Sequence, residues 1–292
     1  MTSRPRQATS YRARIAGTAL LTTCALTVTA TTGCGLAMRK TTQKAAQVVA
    51  EAVLGESVSR FFDSVGQDRR GMRSQDGGST SGDTPGLYAA VPDVPACDRG
   101  RLAGLLAQDP GKAAEWARVE GIAPAEIPAF LGRTTPVLLA SDTLVRNHRF
   151  ENGTAAGYPA LLQAGTAVLV DPWGRPVAKC GCGNPLTRLA PVPDRFEAPG
   201  MTAEWRAVYR RSSVVSVTAA GAPQTRFRLD DATAPGREIV RPTGTGGESD
   251  TTSTEPPPAA GPDKTPDKTP ITTPSNSSTK PPTPGPTPTR PA

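Results

Sequence analysis

Thr166-Ala167-Val168-Leu169-Val170-Asp171-Pro172-Trp173-Gly174-Arg175-Pro176-Val177-Ala178-Lys179-Cys180 is the stretch on which the fold turns. Two apolar runs flank Asp171-Pro172-Trp173-Gly174, and Asp first, Pro second and Gly fourth is what a type I turn prefers. Thr166 to Val170 and Arg175 to Cys180 are therefore expected to pair as a β-hairpin. Downstream, Ser213 to Val217 and Thr225 to Leu229 read as strands, the second with Phe227 and Leu229 on one face and Arg226 and Arg228 on the other. Upstream, Pro136 to Leu139 is a strand candidate, and Asn152-Gly153 after Arg149-Phe150 is a hairpin turn signal.

Before these runs the period changes to that of helices. Leu102, Leu105 and Leu106 lie at i, i+3 and i+4. Asp109-Pro110 supplies an N-cap and a proline at the first helical position, Ala113, Trp116 and Ala117 form a stripe, and Gly121 ends it. A third short helix is expected from Pro124 to Leu131, interrupted at Pro128. Helices followed by hairpins predict an α+β fold: short N-terminal helices, then β-hairpins, in one small domain over residues 85–242 flanked by disordered segments.

The flanks differ in composition. Residues 1–34 carry Arg4, Arg6, Arg12 and Arg14 ahead of an apolar stretch from Ile15 to about Thr32, the pattern of an export signal. Thr31-Thr32-Gly33-Cys34 resembles a lipoprotein box, departing from it at Thr31 where Leu is preferred. Cys34 is thus the candidate lipidation site. The expected location is the extracytoplasmic face of the cell membrane, held by lipid, with a signal anchor or simple secretion as alternatives. Residues 35–84 read as a helical stalk and a flexible linker. Val48, Val49, Ala52, Val53 and Leu54 recur at helical spacing between Thr42 and Phe62, and Asp63 to Thr84 is rich in Gly, Ser, Asp and Arg without periodicity. Residues 243–292 form a Pro/Thr-rich tail without an aromatic residue, expected to be disordered because such a composition cannot offset chain entropy.

The chain has 292 residues, 31 of them Pro and 29 Gly, and a formal charge of +7. Lys and Arg are spread thinly, which speaks against nucleic acid and for weak attraction to anionic polymers of the envelope. The expected partners are the membrane, through the N-terminus, and a cell-wall polymer or envelope protein. Of five cysteines, Cys97, Cys180 and Cys182 fall in the folded part. In an oxidising compartment a disulfide from Cys97 to Cys180 or to Cys182 is expected, closing a long loop. A thiol-dependent enzyme or redox protein using Cys180 and Cys182 is the alternative to a binding or structural module.

Cys97-Asp98-Arg99, the segment from Pro136 through Asn147-His148, Gln163 to Asp171 and the run Lys179-Cys180-Gly181-Cys182-Gly183-Asn184-Pro185-Leu186 together resemble an actinobacterial family of exported or lipid-anchored proteins. The resemblance covers about residues 82–242, rests most on Cys-Gly-Cys-Gly-Asn-Pro-Leu, and implies a single exported domain without an established activity. His148 is the only histidine, and one histidine with three thiols is a thin set of soft metal ligands. No catalytic residue, metal site or cofactor is expected. The chain lacks the nucleophile elbow, the zincin helix, the phosphate loop and the dinucleotide fingerprint.

Overall fold

The computed structural model describes residues 45–55, 60–75 and 77–253. The export signal, Cys34 and residues 254–292 of the tail lie outside the described residues. No helix among the described residues is long and apolar enough to cross a membrane.

In chain order the strands are β1 (Ala46–Gln47), β2 (Val49–Glu51), β3 (Gly78–Ser81), β4 (Tyr88–Ala90), β5 (Thr135–Leu139), β6 (Thr143–Glu151), β7 (Thr154–Leu162), β8 (Ala167–Val170), β9 (Pro176–Lys179), β10 (Asn184–Thr187), β11 (Phe196–Glu197), β12 (Val215–Thr218), β13 (Arg226–Asp231), β14 (Glu238–Pro242) and β15 (Thr251–Ser253). The helices are α1 (Arg99–Gln108), α2 (Pro110–Glu120), α3 (Ile127–Gly132) and α4 (Ala203–Val208).

The fold is mostly β, which corrects the α+β expectation. Among the described residues thirteen strands join in one sheet, in the order β15-β14-β13-β4-β5-β8-β9-β10-β6-β12-β3, with β7 on β6 and β2 on β7. The helices do not come first: three strands of this sheet precede α1 in the chain, and α1 to α3 form a single insert between β4 and β5. The error came from the connecting strands. Those with few apolar residues, such as Gly78–Ser81, show no period-two signal and are defined by their partners.

Alternation along the central strands explains how one sheet supports three layers. Val137, Leu139, Val168, Val170, Val145, Ala160, Leu162, Val217 and Leu229 share the inner core, so the sheet doubles back on itself about β10. Leu138 and Leu169 point the other way, into a core with Leu102, Leu106, Trp116 and Leu131 from the helices. Leu144 and Leu161 face a third cluster built around Trp205 of α4.

Local chemistry sets the helix ends much as the sequence indicates. The Asp98 carboxylate accepts from Arg101 N at 2.8 Å to cap α1, and Asp109 accepts from Lys112 N at 3.0 Å to cap α2, with Pro110 at its start. Leu102, Leu106, Ala113, Trp116 and Ala117 are buried. The Asp171–Gly174 turn closes with Gly174 N donating to Asp171 O at 2.9 Å and joins β8 to β9. Asn152 and Gly153, both at positive φ, join β6 to β7. The short helix α4, capped by Thr202, was not anticipated.

Three flanking expectations differ from the structure. Residues 46–51, expected in a helical stalk, form β1 and β2: β2 runs parallel to β7, pairing Val49 with Ala160 and Glu51 with Leu162. Val48 and Ala52 share a side in a helix at i and i+4, but also in a strand, and the open edge of β7 selects the strand. Residues 63–75 and 77–81, expected as flexible linker, take part in the fold: Val65 is buried, Gly66 bridges to Cys97, and β3 pairs with β12. At the other end, Thr243 to Ser253 belong to the fold and not to a disordered tail. β15 pairs with β14, and Asp250 forms two hydrogen bonds, at 2.9 and 2.7 Å, with the fully buried Arg241 guanidinium.

Candidate functional site

A cluster of polar side chains gathers on the inner face of the sheet, where the N-terminal strap, residues 45–55 and 60–75, lays β2 alongside β7. Asn147 of β6 stands opposite Tyr158 of β7, and Lys179 of β9 opposite Asn184 of β10, so all four share that face. Glu51 of β2 completes the set from the strap. Its Oε1 accepts from Asn147 Nδ2 and from the Tyr158 hydroxyl, both at 2.7 Å, and its Oε2 accepts from Lys179 Nζ at 2.6 Å. The Lys179 and Glu51 side chains are 3% and 7% exposed, so this ion pair belongs to the interior.

Burial alone pulls the Lys179 ammonium down, but the Glu51 carboxylate, then Cys182 and a hydrogen bond to Glu51, pull it up, and the net shift is upward. Lys179 is thus held as a cation. Burial pushes the Tyr158 phenol well above its usual range, and the adjacent Glu51 charge adds to the shift. Tyr158 therefore stays a hydroxyl that donates to Glu51. Within the cluster, Asn147 Oδ1 and Asn184 Nδ2 are buried with no protein partner, leaving one acceptor and one donor to spare.

The cluster forms one wall of a cleft of about 380 Å³ lined by Val49, Ala52, Arg149, Tyr158, Lys179 and Thr202, among others. Val49 is exposed, and Arg149 lies over the Tyr158 ring at 5.3 Å. Arg149 also pairs with Glu151 at 2.9 Å, both side chains being over a third exposed. That surface pair is easily exchanged for another anion.

The cysteines take the arrangement expected in one of its two forms. Cys97 and Cys180 are disulfide-bonded, with Cα atoms 5.7 Å apart and a sequence separation of 83. Cys182 is buried outside the bridge, its Sγ 3.9 Å from Lys179 O. β9 ends at Lys179, and Cys180 to Gly183 form the turn into β10, so alternation no longer applies. The run that carries the family resemblance is this turn, which hangs the disulfide and the Lys179 cluster from neighbouring residues. His148 is also buried, its Nδ1 3.1 Å from Pro185 O, and burial lowers its pKa. Among the described residues no group of His, Cys, Asp and Glu could hold a metal ion.

Glu51, Tyr158, Lys179 and Arg149 were not singled out from the sequence. One signal was present: Lys179 interrupts an apolar strand in register with the buried Val168. A lysine there must find a carboxylate, but nothing local says that it comes from 128 residues away.

A family model described as a domain of unknown function (DUF6777) matches residues 78–244. No curated protein and no solved structure matches.

Proposed function

The chain belongs to the DUF6777 family, a domain of unknown function, and from that premise we propose that it is an exported, envelope-held binding module whose cleft beside Tyr158 takes a small anionic ligand. One observation carries this reading. The groups at the cleft wall that look reactive are committed to one another, whereas Arg149 at the rim is half-exposed and lies over the Tyr158 ring. Glu51 is neutralised by Lys179, so the charge left for a ligand is that of Arg149, whose one ion pair among the described residues is with the exposed Glu151. A carboxylate on a glycopeptide or polymer fragment fits it, with the apolar strap wall at Val49 and Ala52 receiving the uncharged part. The thiol reading has less to stand on, because Cys180 is bonded to Cys97 and Cys182 is buried.

The envelope setting is supported by the export-signal pattern of residues 1–34 and by Cys34, which would carry the lipid. Cys34→Ala should release the protein from the membrane fraction. Retention with an intact N-terminus would replace the lipid by a signal anchor. Ligand recognition is tested by calorimetry of the purified chain with soluble cell-wall fragments bearing free carboxylates and with the same fragments amidated. Amidation or Arg149→Ala should weaken binding on the order of tenfold, as expected for losing one charge-assisted hydrogen bond, with an unchanged melting temperature. Equal binding of free and amidated fragments, or none of either, would sink the assignment.

A further inference from the structure

A second cleft, of about 460 Å³, lies between the strap segment Arg69–Gln75 and the turn Asp230–Gly236. Three arginines, Arg69, Arg70 and Arg73, line it within five residues, over a floor that includes Ala89 and Ala140. Arg70 and Arg73 are exposed and Arg69 is half-buried. None of the three is in an ion pair among the described residues, although the exposed Glu204 feels the charge of Arg70.

The arginines sit on an arch fixed at both ends. Arg69 N donates to Gly165 O at 2.8 Å, and Gly165, at φ +93, approaches so closely that a Cβ there would collide with the Arg69 carbonyl oxygen. At the far end Asp142 N donates to Ser74 Oγ at 2.7 Å and Gln75 N to Ser141 Oγ at 2.9 Å. Such an arch presents its charges without the ordering cost of a mobile loop.

The opposite wall carries two carboxylates with different duties. Asp231 is committed to its own turn, accepting from Thr233 N at 2.7 Å and pairing with Arg237. Among the described residues Asp230 accepts from the Gln75 amide alone, with its other oxygen beside Gly86. The cleft therefore sets cations against one carboxylate acceptor, an arrangement suited to a molecule that is anionic at one end and a hydroxyl donor at the other.

We propose that this cleft binds a phosphate-bearing polyol or sugar, with Arg69, Arg70 and Arg73 on the phosphate and Asp230 accepting from a hydroxyl. Guanidinium forks match phosphate oxygens, and a carboxylate is the natural acceptor for a polyol. The arginines lie before residue 78, outside the stretch that the family model matches, whereas Asp230 lies inside it. The strap would thus add the phosphate specificity to the family domain. The inference does not depend on the cleft beside Tyr158, and Arg149→Ala should leave it untouched.

The experiment is calorimetry on the full chain with glycerol 3-phosphate, inorganic phosphate, glycerol and poly(glycerol phosphate). Glycerol 3-phosphate should bind more tightly than phosphate or glycerol. Arg70→Ser/Arg73→Ser should weaken it at least about tenfold, two charge-assisted contacts being lost, with the melting temperature unchanged. Asp230→Asn should weaken glycerol 3-phosphate but not inorganic phosphate. Polymer binding tighter per unit than the monomer assigns an envelope polymer as the source, and equal affinity assigns a soluble metabolite. Wild-type and arginine variants binding all probes alike would overturn the proposal.

Discussion

Lys179→Met leaves the Glu51 carboxylate inside the protein with the Tyr158 and Asn147 donors on Oε1 and nothing on Oε2. Removing one member of a buried pair typically costs about 3–5 kcal/mol, because the remaining charge has lost both water and partner. At about 2–4 °C per kcal/mol for a domain of this size, the melting temperature should fall by roughly 6–20 °C. Glu51→Gln should cost a similar amount, since the Lys179 ammonium then loses its carboxylate in surroundings where burial already opposes its charge. The double variant Glu51→Gln/Lys179→Met removes both charges and should recover most of the loss, as apolar replacement of a whole buried pair is often close to neutral. Thermal or urea unfolding of the four proteins forms a double-mutant cycle whose coupling energy should be at least about 2 kcal/mol. Single variants that each lose less than about 1 kcal/mol and add up in the double would refute a buried, mutually dependent pair.

The other predictions address different parts of the chain. Non-reducing peptide mapping should recover Cys97 linked to Cys180, and Cys97→Ser should cost about 2–4 kcal/mol because the bridge closes a loop of 83 residues, whereas Cys182→Ala should leave the bridge in place. Glu120 is only half-buried as a residue, but its Oε1 is enclosed without a donor, and burial pushes its carboxyl well above the usual 4.5. The folded carboxyl therefore holds its proton to higher pH than the unfolded one, and stability is lost as pH rises through the raised value. Glu120→Gln should raise the melting temperature at pH 8 but hardly at pH 4, and an equal shift at both would discount the burial. A chain ended after Pro242 should lose β15 and the Asp250 partner of Arg241, with an unfolding cost near that of Asp250→Asn, about 3 kcal/mol or more. If it melts with a chain ended after Ser253, Thr243 to Ser253 contribute nothing to the fold.

What the sequence determined by itself is whatever a few neighbouring residues can enforce. Asp98 and Asp109 cap their helices, Asp171 to Gly174 turns the hairpin, Asn152-Gly153 turns another, and Phe227 and Leu229 fall on the buried face, because caps, turns and alternation act over a handful of positions. Three cysteines behind a leader that reads as an export signal were enough to expect a bridge from Cys97. The choice of Cys180 over Cys182 was not legible, since it depends on where β9 ends and a turn begins. Residues 46–51 show the same limit: Val48 and Ala52 fit both a helix and a strand, and only the unfilled edge of β7 decides between them. Both clefts were hidden for the same reason. Glu51 meets Lys179, and Arg69 to Arg73 face Asp230, across separations of well over a hundred residues, and such contacts exist only once the sheet has doubled back and the strap has found its edge.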